Sequence, residues 1–452
     1  MKNYRLVLIL AVVFTLQEGC TPDDIKPIDT VEPSALDIAL EEALMHASNG
    51  IGADYYKLPT SLSDIPQDPN NPLTTAKVEL GRMLYHETGL ATKPKKEEGR
   101  FTYSCASCHH AAAGFQACVP QGISEGGLGF GLRGEARYPN PNYPIAQLDV
   151  QPLRSPSVLN IAYQPNVLWN GQFGATHGNV GTENSWDVNS PKEWNHLGYE
   201  GTETQAIAGI EVHRLDMTES LFLLSGYRDL YVAAFGDVGD DTLMSNVYTG
   251  LAIAAYERTL LATEAPFQNY LNGNKAAMSA KEKEGAIIFF SKGECYNCHN
   301  GPALANMEYH ALGMNKLDGN GVYLTNFINQ TANLGRGGFT LNPEDEYKFK
   351  VPQLYNLINS KFYGHGATFH SVEEVIKYKN KAVAENSDVP MEQLAEGFHP
   401  LNLTAAEIDA LTAFIEYGLY DRNLDRYVPN SIPSGFCFPN NDYRSGVELG
   451  CQ

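Results

Sequence analysis

The sequence predicts a mostly α-helical protein made of two tandem units with long loops. Three observations carry this expectation. The chain of 452 residues is longer than one hydrophobic core comfortably serves. Segments of helical periodicity recur along it, whereas the strict alternation of strands is scarce. A C-x-x-C-H pattern occurs twice, in "SCASCHH" from Ser104 and in "ECYNCHN" from Glu294, each time after a helical segment.

In chain order, "MKNYRLVLILAVVFTLQEGC" reads as a secretory signal over residues 1–20, with two positive charges and an apolar run from Leu6 to Leu16. It is too short to span a bilayer as a mature helix. Cys20, after Gly19 and before the polar "TPDDIKP", resembles a bacterial lipoprotein cleavage site, although Gln17 and Glu18 depart from the strict pattern. This implies export, a periplasmic location and a lipid anchor on Cys20. A linker follows over 21–35, and "SALDIALEEALMHASNG" predicts a helix over 34–50 closed by Gly50. "TTAKVELGRMLYHE" predicts a second helix running up to the first C-x-x-C-H. The Gly/Pro/Asn-rich stretch from Gly114 to Gly201 has little periodicity and reads as loops around a site. "ESLFLLSGYRDLYVAAFG" and "MSNVYTGLAIAAYERTLLATE" read as amphipathic helices leading towards the second pattern. "SVEEVIKYKNKAV" and "TAAEIDALTAFIEYGLY" supply further helix near the end. A boundary near residue 245 separates an N-terminal unit, 36–245, from a C-terminal unit, 246–452.

The formal net charge of −21 argues against nucleic acid as a partner, because phosphates demand a basic face. It suits a small, basic partner protein, although acidity also simply keeps a protein soluble.

In an exported protein disulfides are the default for cysteine. There are eight: Cys20, Cys105, Cys108, Cys118, Cys295, Cys298, Cys437 and Cys451. Zinc wants four ligands in a compact module, and a redox dithiol wants a βαβ setting that neither pattern has. C-x-x-C-H suits covalent attachment of c-type haem: two thiols form thioethers and the adjacent histidine binds iron. The expected cofactors are therefore two covalent haems, on Cys105 and Cys108 with His109, and on Cys295 and Cys298 with His299. The units then read as duplicated cytochrome c-like haem domains. Cys437 and Cys451 are close enough in sequence to pair, which leaves Cys118 odd; connectivity is not fixed by sequence.

The ordered blocks "ELGRMLYHETGL", "SCASCHH", "LRSPSVLN", "LWNGQ", "TQAIAGIEVHRLDM", "AAYERTL", "CYNCHNG", "NLGRGGF", "FKVPQLYNL", "YGHGATFHSVEEVIKY" and "LNLTAAEIDALTAFI" resemble the bacterial dihaem cytochrome c peroxidases. They are similar too to the protein-modifying dihaem enzymes of methylamine utilisation. The resemblance spans roughly residues 70–420. It implies that peroxide meets iron at the N-terminal haem, while the C-terminal haem takes electrons from a donor protein. Trp169, thirteen residues after Pro156, matches the family tryptophan between the haems, against its plainer reading as a core aromatic. Gln205 matches a family glutamine near the peroxide. For the carboxylate that follows, Glu211 has the side chain and Asp216 nearly the spacing, while His213 and Arg214 lie between them and suit the same proton and charge work.

The sequence also departs from the family. No histidine occurs between His110 and His177, where many relatives keep a distal ligand; Gln147 and tyrosines stand there instead. This implies an N-terminal iron open on its distal side. The family methionine ligand of the second haem falls, counted from His365, on Lys379 beside Tyr378, with Met314 and Met391 as loop alternatives. Arg154 stands where relatives place a calcium-binding asparagine, the carbonyls of Ser360 and Phe362 matching other ligands, and a cation beside Arg154 would be repelled. The leading expectation is a peroxidase reducing hydrogen peroxide with electrons from a small cytochrome c or similar donor. The alternatives are a dihaem oxidase that modifies a partner protein through high-valent iron, and a non-catalytic two-haem electron carrier.

Overall fold

The computed structural model describes residues 34–323 and 328–451. The signal segment, Cys20 and most of the linker lie outside the described residues. Two helices, α1 (Ala35–Ala47) and α2 (Thr75–His86), precede the first C-x-x-C-H turn. After a long loop region come α3 (Gly201–Val212), α4 (Glu219–Leu224), α5 (Tyr227–Phe235), α6 (Asp240–Leu243) and α7 (Asn246–Arg258). α8 (Pro266–Leu271) and α9 (Ala280–Phe289) lead into the second turn. α10 (Ile328–Asn333), α11 (Gly337–Thr340), α12 (Val372–Lys381), α13 (Ala405–Ala413) and α14 (Tyr443–Leu449) complete the order. The described strands form two short antiparallel ribbons, β1 (Gly127–Leu128) with β2 (Tyr138–Pro139) and β3 (Tyr309–His310) with β4 (Phe349–Lys350).

Local chemistry explains where the main helices start. Ser34 and Asp37 form a capping box at α1, Ser279 and Glu282 at α9, and Thr404 and Glu407 at α13. Thr74 caps α2 by accepting from the Lys77 amide. The stretch "ESLFLLSGYRDLYVAAFG", expected as one helix, is broken between α4 and α5 by Gly226 at φ +82°. Glycine reaches that left-handed conformation without the penalty other residues meet.

Two close helix crossings organise the core. Gly81 of α2 lies so near α7 that a Cβ there would be 1.9 Å from the Ala252 carbonyl oxygen. Gly285 of α9 meets α13 in the same way, 2.0 Å from the Ala410 carbonyl oxygen. α9 ends at Phe289, shortly before the second turn at Cys295, whereas the short turns Thr88–Leu90 and Glu97–Gly99 lie between the end of α2 at His86 and the first turn at Cys105.

The packing does not follow the expected boundary at residue 245. α7, beyond that boundary, lies against α2 and α3, while α1 packs on α9 and reaches it through the Asp37–Lys283 ion pair of 2.7 Å. The C-terminal tail returns to the first turn. The Ser104 and Ser107 hydroxyls both donate to the Pro439 carbonyl, at 2.9 and 3.1 Å, and a Cys437–Cys451 disulfide closes the tail loop. One hydrophobic cluster runs from Leu40 to Leu424. Among the described residues no helix is long and apolar enough to cross a membrane.

Candidate active site

Each C-x-x-C-H folds as one 3₁₀ turn, Cys105–Ser107 and Cys295–Asn297, with the histidine amide donating back to the first cysteine's carbonyl at 3.2 and 2.8 Å. Both turns open on a single cavity of about 1570 Å³, lined by Cys105, Cys108 and His109 and by Cys298 and His299. Ordinary small-molecule sites occupy about 300–1,000 Å³, so this space suits more than one such group. His299 Nδ1 donates to the Leu304 carbonyl at 3.0 Å, leaving Nε2 free for a ligand role. His109 Nδ1 is buried with no hydrogen-bond partner, and Tyr85 donates to the His109 carbonyl at 2.6 Å. Burial pushes both imidazoles down to about 4, keeping them in the neutral form that binds metal.

None of the four motif cysteines is engaged in a disulfide. Burial pushes the Cys108 thiol up to about 12, an environment unsuited to a reactive dithiol. Gly122 leaves the space beside it, since a Cβ would lie 2.8 Å from Cys108 Sγ. Cys298 Sγ groups with Glu308 and His310 within 4.8 Å, a set that thioether formation at Cys298 would dissolve. The donors and the space present therefore fit two covalently held haems.

The helix α3 delivers the remaining chemistry. Gln205 lines the cavity, and past the end of the helix the chain turns through His213 and Arg214, which line it too. Arg214 sits at φ +58°, a strained conformation that non-glycine residues hold only when anchored. The anchor is the buried Glu125, which pairs with the Arg214 guanidinium and accepts from the Lys95 amide at 2.6 Å and from Tyr143 at 3.2 Å. His213 Nδ1 lies 2.8 Å from Asp149 Oδ2, which also accepts from the Ser124 hydroxyl. Burial opposes a charge on His213, but the attraction of Asp149 and the bond to it prevail and raise its pKa. Burial likewise opposes the Asp149 carboxylate, yet His213 and Ser124 lower its pKa on balance.

Two sequence candidates stand apart. Glu211 is exposed and outside the cavity, because its position on α3 faces solvent. Asp216 is also outside it, its carboxylate drawn into an ion pair with Lys93 at 3.0 Å. Sequence reasoning missed Glu125, Asp149 and Ser124. The one available signal was "AQLDVQ", a loop read for a histidine rather than for its carboxylate.

The departures noted above take physical form. His110 Nε2 bonds the Arg133 carbonyl at 2.7 Å and stacks edge-on with Phe130, so it is held away from the cavity. His177 is exposed, and Gln147 is outside the lining. Tyr378 donates to the Leu312 carbonyl and packs between Phe369 and Phe398, outside the cavity, whereas its neighbour Lys379 lines it. Burial lowers the Lys379 pKa, towards the neutral amine that a ligand would need. Met314 also lines the cavity, while Met391 is 85% exposed. The Arg154 guanidinium is buried and donates to Gln116 Oε1 and Ser360 Oγ, both at 2.8 Å, and burial lowers it to about 10. Trp169 lines the cavity, donates from Nε1 to the Arg154 carbonyl at 2.8 Å, and lies 6.3 Å from the His365 ring. Its own carbonyl accepts from the Lys350 amide of β4 at 2.8 Å. Trp169 therefore stands where the long loop of the first half meets the ribbon that follows the second turn.

Residues 75–276 match the family model of the di-haem cytochrome c peroxidases. With the paired turns and their shared cavity, this match makes the chain similar to those peroxidases and their MauG relatives, a family whose description implies two haem cofactors. Cytochrome-c peroxidase IdrP1 of Pseudomonas sp. (strain SCT) is 26% identical over 394 residues, covering 83% of this chain and 89% of that protein. Methylamine utilization protein MauG of Methylorubrum extorquens is 25% identical over 355 residues, covering 78% of this chain and 80% of that protein. A crystal structure of a MauG-like protein associated with microbial copper homeostasis shares the fold. Its TM-score is 0.53 at 21% identity, over 82% of this chain and 96% of that one.

Proposed function

We propose that the protein is an exported di-haem c-type peroxidase that reduces hydrogen peroxide to water with electrons from a small, basic donor protein. The observation that carries this reading is the His213–Arg214 pair in the same cavity as Cys105, Cys108 and His109. An electron carrier has no need of such groups, and each peroxide reduced to two waters consumes two electrons and two protons.

The thiols of Cys105 and Cys108 would hold one haem with His109 as its ligand, and those of Cys295 and Cys298 the other with His299. When bound, the haems supply the redox chemistry. The chain's own residues do the rest. His213 moves a proton within the cavity, Arg214 steadies developing negative charge on oxygen, and Gln205 orients the peroxide by hydrogen bonding. Trp169 occupies the contact between the two halves and serves electron passage. Lys379, rather than Tyr378, would be the residue offered as a further ligand to the second haem. Arg154, with its guanidinium on Ser360, fills the place where a calcium ion would be repelled. Each glycine-bearing crossing with its following turn makes one of two tandem cytochrome c-like units. The N-terminal apolar segment and Cys20 support export to the periplasm and a lipid anchor, and the charge of −21 supports a basic donor.

Steady-state turnover of hydrogen peroxide by the haem-loaded protein with a reduced basic cytochrome c tests this. Peroxide-dependent oxidation of the donor is the expected result. Donor oxidation no faster than without enzyme would overturn it.

A further inference from the structure

We propose that Asp149 is a positioning residue that fixes the His213 ring through Nδ1, so that Nε2 is offered to the cavity beside the first C-x-x-C-H turn. The inference rests on the reading of His213 as the group that moves protons.

The geometry behind it is built from both sides. His213 is the first residue after α3, and its amide donates to the Gly209 carbonyl at 3.0 Å, so the ring's origin is fixed by the helix end. Asp149 is 64 residues away in sequence and is fixed independently. Its amide donates to the Glu125 carbonyl at 3.0 Å, and its carbonyl accepts from the Ser124 amide at 3.1 Å. The carboxylate is 5% exposed, so it cannot be left without donors, and its Oδ2 receives both the Ser124 hydroxyl and His213 Nδ1.

An ionised carboxylate only accepts hydrogen bonds. The proton between the two side chains therefore sits on Nδ1, and the tautomer is chosen. Nε2, without a hydrogen-bond partner among the described residues, is the nitrogen that gives up or takes a proton without the ring moving. Arg214 cannot compete for Asp149, because Glu125 holds it. The loop thus keeps two adjacent side chains apart by giving each its own buried carboxylate. An amide at position 149 would keep the shape but accept or donate equally well, and the tautomer would no longer be dictated.

The test is a double-mutant cycle on the haem-loaded protein, with Asp149→Asn, His213→Ala and the double variant. The rate of the first reaction with hydrogen peroxide is read by absorbance. The affinity of the oxidised protein for fluoride, an anion that reports a proton donor in the cavity without turnover, is read alongside. Asp149→Asn is expected to slow the reaction on the order of a hundredfold in the parent. In the His213→Ala background the same change is expected to matter by about twofold or less, and fluoride affinity should follow the same pattern. Ser124→Ala, which keeps the carboxylate and removes one of its donors, should show that coupling at smaller amplitude, and it stands in if Asp149→Asn loads haem poorly. An equal loss from Asp149→Asn in both backgrounds, or none in the parent while His213→Ala is slow, overturns the inference alone. Full activity of His213→Ala overturns the proton-transfer reading together with it.

Discussion

At the scale of single residues the fold separates neighbours that the sequence leaves equivalent. Within "EVHRLD", His213 and Arg214 face the cavity while Glu211 and Asp216 do not. His213→Ala is therefore expected to lose roughly a hundredfold in peroxide turnover, whereas Glu211→Gln and Asp216→Asn should stay within about threefold of the parent, because surface changes away from the chemistry act weakly. Steady-state kinetics on the three variants reads this out. Trp169→Phe removes the Nε1–H that bonds the Arg154 carbonyl and shortens the ring system at the contact between halves. Haem content should be unchanged and electron passage between the haems slower, as measured by rapid mixing with reduced donor. Unchanged transfer would make Trp169 core packing. The two C-x-x-C-H turns were legible because each motif is local in sequence. Asp149 and Glu125 were not, since their partners lie 64 and 89 residues away along loops that carry no periodicity.

At the scale of elements, the close crossings carry the stability argument. An added Cβ at Gly81 or Gly285 would meet a backbone carbonyl at 1.9 or 2.0 Å, and backbone cannot step aside as a flexible side chain can. Each glycine-to-alanine change should cost about 2–3 kcal/mol through forced separation of the helices. It should also lower haem occupancy at the turn that follows. Urea unfolding and haem content measure both, and unchanged values would place the strain elsewhere. The docking of α1 on α9 has a pH signature. Burial opposes the Asp37 carboxylate, but its bonds to Lys283 and Ser34 win and hold it at about 2, below the ordinary 3.8. A carboxyl group lowered on folding contributes its full stability above the unfolded value, and loses it as pH falls from about 4 towards 2. Thermal melts should therefore show parent and Asp37→Asn well separated at pH 5 and converging towards pH 2. A gap that stays constant would contradict the assignment. Helix starts were legible from their caps, as at Ser34, Ser279 and Thr404. The break at Gly226 was less so, because the apolar pattern continues across it.

At the scale of the whole molecule, the chain closes on itself. α1 leaves the N-terminal side to pack on α9, and the disulfide-closed tail returns from the far end to the hydroxyls of Ser104 and Ser107. Sequence order suggested two units divided near residue 245, but these exchanges cannot be read from local pattern, since they depend on contacts between segments hundreds of residues apart. Their effect is to tie α9, ahead of the second turn, to α1, and the first turn to the C-terminal tail, while both turns line one cavity. The proposed function requires two covalent haems in this cavity, one on Cys105 and Cys108 and one on Cys295 and Cys298. Intact mass of the full-length purified chain, combined with its pyridine haemochrome spectrum, tests it most directly. Two haems per chain are expected in the parent and one after replacing either cysteine pair by alanine. A single haem in the parent, or bound zinc with four free motif thiols, would contradict it.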